Sequence, residues 1–285
     1  MRRELYIFEL ESMPQIHPMA VVETGAQLAD DVTVGAFAYI GSKVVLGPGC
    51  VVHHRASIHG NTVAGKDNHF FPGCVIGGIP QDLKYRGGDC RVIIGDNNRF
   101  RELVTVNIGT EDGGGVTEIG NGNLLMANVH IAHDCFVRNR CIFANNVMLA
   151  GHIEVEDGAV LSGAVAVTHF VSIGQYSFIG GVAVVVHDVP PFLTVDGRPA
   201  SVRGLNRVGL KRRGFDETRI EPIKEAYRLL YRKETPFAVG AAELEARYPG
   251  NPEINTMLTF IRRAAEGKFG RYRESLRGKT PWTGA

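Results

Sequence analysis

The sequence predicts a mainly β chain built on a parallel β-helix, a hexapeptide-repeat solenoid, with a small α-helical domain at its C-terminal end. Three observations carry this expectation. Aliphatic residues, and occasionally Phe, recur at six-residue intervals from Ile16 to Val185, with two interruptions and one shift of phase, the period at which a short strand and its corner return to the same place on a coil. Thirty-five glycines are scattered without collagen's three-residue period, as a chain of many turns requires. Beyond about residue 204 the six-residue pattern gives way to helical spacing.

Residues 1–15 show no periodicity and read as an extension of little functional weight. With two arginines, three glutamates and no long apolar run between Met1 and Met13, they do not make a secretory signal. From Ile16 the chain divides into blocks such as IHPMAV, VETGAQ and LADDVT, and later IAHDCF, VRNRCI and FANNVM. The first place of each block is aliphatic and the second is often glycine; about two dozen blocks in near-constant phase make a strong signal. Two segments break the composition and are expected to project as loops, at about 81–93 and 109–118. The first occupies a whole number of hexads, so the lattice resumes at Ile94; the second, glycine-rich, shifts the phase by one. Insertions of this kind often form the binding surface of a repeat protein.

The solenoid is expected to span 16–203. Val189-Pro190-Pro191 should end strand pairing, with a linker running to Arg203. In the helical domain, 204–285, Ile223, Ala226, Tyr227, Leu230 and Tyr231 fall at helical spacing. Asn251-Pro252-Glu253 makes a helix start before Met257, Leu258 and Ile261.

Composition narrows the function classes. A formal charge of +1 and 44% hydrophobic residues argue for an ordered protein and against bulk nucleic-acid binding. No run approaches the roughly 18 apolar residues of a membrane span. Five cysteines, with no CxxC pair, support neither a disulfide framework nor a zinc site, and a reducing, cytoplasmic setting is expected. Lys211–Ala285 holds 16 Lys and Arg against 10 Asp and Glu. Within it, Lys211-Arg212-Arg213 with Arg228, Arg232 and Lys233 could attract an acidic protein or a phosphorylated ligand.

The chemistry concentrates in Asn128–Cys135, which reads NVHIAHDC. With three hexads to a coil, residues 18 apart stack about 4.8 Å from one another. His133, Gly151 and His169 then form one column, with His152 beside Gly151, His130 three residues earlier and nearer the corner, and Asp134 alongside. An imidazole with an ordinary pKa of about 6.5 can take a proton from a hydroxyl, and Gly151 offers an unobstructed backbone N–H to an oxyanion. Metal binding ranks lower, because no cysteine or carboxylate pattern completes a tetrahedral set. Cys50, Cys74, Cys135 and Cys141 all occupy the fifth place of a hexad, where a small packing residue is wanted.

The sequence resembles the UDP-N-acetylglucosamine O-acyltransferases of lipid A biosynthesis. The resemblance covers nearly the whole chain from residue 16. It rests on Gln81-Asp82-Leu83-Lys84-Tyr85, Gly113-Gly114-Gly115, Asn123-Leu124-Leu125-Met126, His130-Ile131-Ala132-His133-Asp134-Cys135, Leu149-Ala150-Gly151-His152, Asp188-Val189-Pro190-Pro191 and Gly209-Leu210-Lys211-Arg212-Arg213-Gly214-Phe215. It implies a left-handed β-helix, an exception to the usual crossover hand, assembled as a homotrimer with sites between subunits. It implies transfer of a 3-hydroxyacyl chain from acyl carrier protein to the 3-hydroxyl of UDP-GlcNAc, with no metal or other cofactor.

Carried over, the resemblance makes His133 the general base, Asp134 its orienting carboxylate and Gly151 the oxyanion donor. Asp82, His130 and His152 would position the sugar and acyl groups. Asn206 and Arg212 would meet the nucleotide or the phosphopantetheine, and Gly181 would set acyl length. The chain departs from the family's commonest pattern at Thr168-His169-Phe170, where His169 would face the substrate, and at Asn107, Pro199 and Val208. N-acylation of a 3-amino sugar, a non-catalytic hexapeptide-repeat binding protein and a zinc-dependent β-helix hydratase are the alternatives.

Overall fold

The computed structural model describes residues 13–233 and 235–277. Three sheets of eleven, nine and eight strands, parallel except for the last strand of the first, run the length of a left-handed β-helix, and each coil visits the first, second and third sheet in turn. Most strands are only two residues long, because each hexad supplies one strand and one corner. The 18-residue register is explicit in the pairing of His130 with Met148 and of Met148 with Ala166.

Past the first coil the first and fifth places of the hexads are closed off from solvent, including Ile131, Leu149, Val137 and Val155, and also Cys50, Cys74, Cys135 and Cys141. Stacking repeats each side chain directly over its like; Phe70 and Phe100 lie parallel with centroids 5.2 Å apart. Each fully buried aliphatic contributes roughly 1.5–3 kcal/mol, and continuity along the stack makes the coils interdependent. Burial pushes the Cys74, Cys135 and Cys141 thiols up to about 12, as packing residues rather than nucleophiles.

The fourth place of the hexad turns the corner in the left-handed region: Asp134, His152, Phe170 and Tyr176 have φ of 58°, 63°, 65° and 54°. That twist decides the site. Neighbours in a strand point to opposite faces, but a left-handed fourth residue lets its side chain turn back toward the third.

Four boundaries differ from the sequence expectation. Arg91–Ile94 and Val116–Ile119 are four-residue strands of the third sheet, paired over their whole length. The projecting loops are therefore 79–90 and 108–115, because buried Val92 and Thr117 extend the alternation backward. The prolines at 190 and 191 do not end the sheet. They occupy a corner, where no ladder N–H is required. Leu193–Gly197 then pairs with Phe178–Ile179 and forms an antiparallel hairpin with Ala200–Leu205, in place of a linker. At the other end, Gln15–Ile16 is already a strand; the rest of the expected extension, 1–12, lies outside the described residues.

The helical domain comprises α1 (Arg207–Arg212), α2 (Glu217–Tyr227, continued by a π-helical turn at Arg228–Arg232), α3 (Phe237–Arg247), α4 (Pro252–Glu266) and α5 (Tyr272–Leu276). Asn251 caps α4 through the Ile254 N–H, as Asn before Pro predicts. Ile223, Leu229, Leu244, Met257 and Leu258 form its core, which Phe192 and Leu193 join to the last coil. After α4 the chain returns along the solenoid, so that α5 lies against the corner between the second and third sheets. The Asp188 N–H donates to the Gly270 carbonyl, and the Tyr272 N–H donates to the Asp188 carboxylate.

Candidate active site

That corner carries the predicted column. An added Cβ at Gly151 would lie 2.5 Å from Cε1 and 2.7 Å from Nε2 of His133, so the imidazole rests directly on the glycine. His133 is buried, its side chain only 8% exposed, and its Nδ1 lies 2.7 Å from Asp134 Oδ2. Asp134 is fully buried, yet its carboxylate is well supplied with donors: Oδ1 accepts from the Thr110 N–H at 2.9 Å and Oδ2 from the Thr110 hydroxyl at 2.6 Å. The Thr117 hydroxyl accepts from the Asp134 N–H. Gly113 touches the other side of the carboxylate, where a Cβ would fall on its atoms. The second loop thus folds over the acid and fixes it.

Because the carboxylate accepts, Nδ1 of His133 carries the proton and Nε2 presents its lone pair outward. Nε2 faces Asp82 Oδ2 at 3.8 Å, too long for a hydrogen bond, but a hydroxyl oxygen about 2.8 Å from each could bridge them. Asp82 is held by the Lys84 N–H at 2.9 Å, and that bond, ahead of the neighbouring imidazoles, keeps its carboxyl below the ordinary range. The Gly151 N–H donates to no acceptor among the described residues.

The remaining imidazoles are neutral spacers. Burial pushes His152 down to about 4, against the opposing pull of Asp134; its ring stacks on Phe170 at 4.5 Å and meets His133 edge-on at 5.1 Å. His169 follows Gly151 in the column and is likewise lowered by burial. His130 stands on the outer face of the second sheet, bonded through Nδ1 to the Thr105 hydroxyl at 2.7 Å.

Two hollows meet at His133. A cleft of about 1000 Å³ is walled by Gln81–Lys84, Thr110–Gly113, His152, Thr168–Phe170 and, from the C-terminal segment, Arg271, Arg273, Glu274, Leu276 and Arg277. A narrower groove of about 300 Å³ runs over the second sheet past His130, Met148, Ala150, Gly151, Ala166 and His169. A reacting group above His133 could therefore be approached from a polar side and from an apolar one.

His133, Asp134 and His152 place three donor atoms within 4.8 Å of one another. The 2.7 Å separation of His133 Nδ1 from Asp134 Oδ2 is that of a shared proton. Two ligands on one zinc at about 2.0–2.2 Å would stand farther apart, and Thr110 already uses both carboxylate oxygens. The donor set fits acid-base chemistry better than a metal.

Of the sequence-predicted residues, His133, Asp134, Gly151, Asp82, His130, His152 and His169 converge. Gly181, Asn206 and Arg212 do not. Gly181 lies at the opposite edge of the second sheet, against Gly163 and Ser162. Asn206 caps α1, accepting from the Gly209 N–H and donating to the Tyr176 carbonyl, so its amide is used structurally. Arg212 is an exposed residue of α1. Sequence reasoning missed Thr110, whose only signal was its place beside the phase shift, and the cleft-lining arginines 271, 273 and 277, hidden in the general basicity of the tail.

Comparison with known proteins places these features among a consistent set of relatives. A family model described as UDP N-acetylglucosamine O-acyltransferase, domain 2, matches residues 188–269. An acyl-[acyl-carrier-protein]–UDP-N-acetylglucosamine O-acyltransferase of Stenotrophomonas maltophilia (strain R551-3) is 48% identical over 258 residues, covering 89% of this chain and 97% of the relative. The solved UDP-N-acetylglucosamine O-acyltransferase (LpxA) of Moraxella catarrhalis RH4 superposes with a TM-score of 0.84 at 37% identity, over 87% of this chain and 96% of that one. The LpxA structure from Bacteroides fragilis 9343 gives 0.79 at 39% identity, over 88% and 95%.

Proposed function

This chain belongs to the acyl-[acyl-carrier-protein]–UDP-N-acetylglucosamine O-acyltransferase family, and from that premise we propose that it moves a 3-hydroxyacyl group from acyl carrier protein to the sugar 3-hydroxyl of UDP-GlcNAc, the first step of lipid A biosynthesis. The observation that carries the reading is the buried His133–Asp134 pair, with Nε2 toward a cleft and the ring resting on Gly151, whose N–H has no acceptor among the described residues.

The acceptor hydroxyl lies between His133 Nε2 and Asp82. Nε2 takes its proton as the oxygen attacks the thioester carbonyl, and Asp134 balances the charge that develops on the imidazolium. The Gly151 N–H receives the carbonyl oxygen as it becomes anionic; being preset, it costs no reorganisation. Collapse of the tetrahedral intermediate expels the thiolate, which recovers the proton from His133. The polar cleft takes the nucleotide sugar, and the groove along His130, Met148 and Ala166 takes the acyl chain. No metal or other cofactor takes part in this scheme.

The active assembly is a homotrimer. Met19, Phe37, Leu103 and Val182 are apolar residues at least half exposed at the corner between the first and second sheets, on coils separated by Arg55, Asn128, Asn146 and Ala164, and burying them against a second copy removes that surface from water. Gly181 and Arg212, remote from His133 in their own chain, would act on a neighbour's substrate. No described helix is long and apolar enough to cross a membrane, and all five cysteines are free, which supports a cytoplasmic setting.

The test is incubation with 3-hydroxyacyl carrier proteins of several lengths and UDP-GlcNAc, with mass-spectrometric identification of the product. Wild type is expected to give the mono-acylated sugar nucleotide. His133→Ala is expected to remain folded and give none; near-normal turnover by that variant would exclude the assignment.

A further inference from the structure

We infer that the C-terminal segment 268–277 is a built part of the substrate cleft and that Arg277 is a binding residue for a substrate phosphate; this rests on the acyltransferase reading and extends it. The matched span of the family model ends at residue 269, and α5 lies beyond it.

The segment is pinned rather than draped. His187 Nδ1 bonds the Phe269 carbonyl at 2.7 Å, the Asp188 N–H donates to the Gly270 carbonyl at 2.8 Å, and the Tyr272 N–H donates to Asp188 Oδ2 at 2.8 Å. His187 and Asp188 occupy the same corner places, on the next coil, as His169 and Phe170. The anchor therefore continues the catalytic column, and the segment forms one wall of the cleft that opens over His133.

Its three arginines are not equivalent. Arg271 donates to the Val186 carbonyl and to Glu274. Arg273 is buried, with its guanidinium 3.5 Å from Glu154 and lying over the Phe136 ring. Both fasten the segment down. Arg277 is different: its side chain is 57% exposed, it reaches Glu274 only at 3.5 Å, and its guanidinium lies 5.5 Å from the Phe170 ring that stacks on His152. It lines the same cleft as Lys84 and His133. Among the described residues its one ionic partner is a shared carboxylate; a guanidinium so held can turn to an anion at little cost, and its planar fork suits phosphate oxygens. Both substrates of the proposed reaction bring phosphate: the diphosphate of the sugar nucleotide and the phosphodiester of the carrier protein's prosthetic group.

Steady-state kinetics on the full chain separates these sources. Each substrate is varied at saturating partner, for wild type, Arg277→Ala and Arg277→Glu, with thermal melts to establish folding. Loss of a charge-assisted contact should raise one KM about tenfold, more for Glu than for Ala, with kcat changed less than twofold. A rise in the UDP-sugar arm assigns the diphosphate. A rise in the acyl-donor arm that disappears with phosphate-free acyl-pantetheine assigns the phosphodiester. Both KM values unchanged in a folded Arg277→Glu, with wild type active, would overturn the inference. An inactive wild type would instead sink the acyltransferase reading itself. A chain ending at Gly267 should lose more than Arg277→Ala does; equal kinetics for that truncation and wild type would also count against a built cleft wall.

Discussion

Gly151→Ala isolates the geometry of the proposed centre. The backbone there does not adopt a positive φ, so alanine introduces no conformational strain, and its effect is purely the added methyl group. That methyl would sit 2.5 Å from His133 Cε1, 2.7 Å from Nε2 and 3.0 Å from Nδ1, whereas carbon atoms settle at about 3.5–4.0 Å. The ring must lift by about 1 Å, since both coils are fixed by the ladder beneath. A displacement of that size typically costs on the order of 100-fold in rate, and it stretches the 2.7 Å bond to Asp134. The overpacking itself should cost about 1–3 kcal/mol of stability. We expect kcat for acyl transfer to fall about 100-fold with the KM for UDP-GlcNAc changed little, in a protein whose circular dichroism is native. A Gly151→Ala enzyme within threefold of wild-type kcat would refute both the contact and the roles built on it.

Other outcomes follow from the same geometry. Thr110→Val removes the hydroxyl donor of Asp134 but keeps the N–H, and kcat should fall roughly tenfold or more, with Thr110→Ser restoring it; an unchanged rate for Val would detach Thr110 from the site. Titration should divide two buried groups. His152 is pushed down to about 4 from an ordinary 6.5, so the folded state binds fewer protons than the unfolded one, and the stability present above pH 6.5 drains away toward pH 4. His152→Asn should flatten that limb of a melting-temperature profile, asparagine being at ease in the left-handed corner. Glu156 is pushed up to about 7 by burial. Its penalty is absent below its ordinary 4.5 and grows as pH rises to about 7, so Glu156→Gln should gain on wild type across that window; parallel profiles would contradict it. All five thiols should resist maleimide in the native protein and react in urea, because each is buried.

How much of this was legible in the sequence depends on what fixes each feature. The hexad register is a local constraint, repeated until it is unmistakable: one aliphatic residue inward per strand, one small residue behind it, one corner residue in the left-handed region. From that alone the column of His133, Gly151 and His169 followed, as did the packing role of Cys135. The same logic failed at Val189-Pro190-Pro191, where proline chemistry suggested an end to pairing. A corner needs no ladder N–H, so the sheet passed through to a hairpin.

What only the tertiary structure decided lies where the period lapses. Thr110 is 24 positions before Asp134 and in an aperiodic loop, so nothing in the register indicates that its hydroxyl and N–H would close on that carboxylate. Arg271, Arg273 and Arg277 belong to a tail whose composition says only that it is basic; the fold ties it to Asp188 and so places all three in a wall of the cleft. Gly181 and Asn206 show the converse, since matching a motif did not bring them to His133 within one chain. A repeat fixes positions along its own lattice because each coil copies the last. Contacts made by loops and termini depend on where distant segments dock, and that is set by burial and hydrogen bonding in three dimensions.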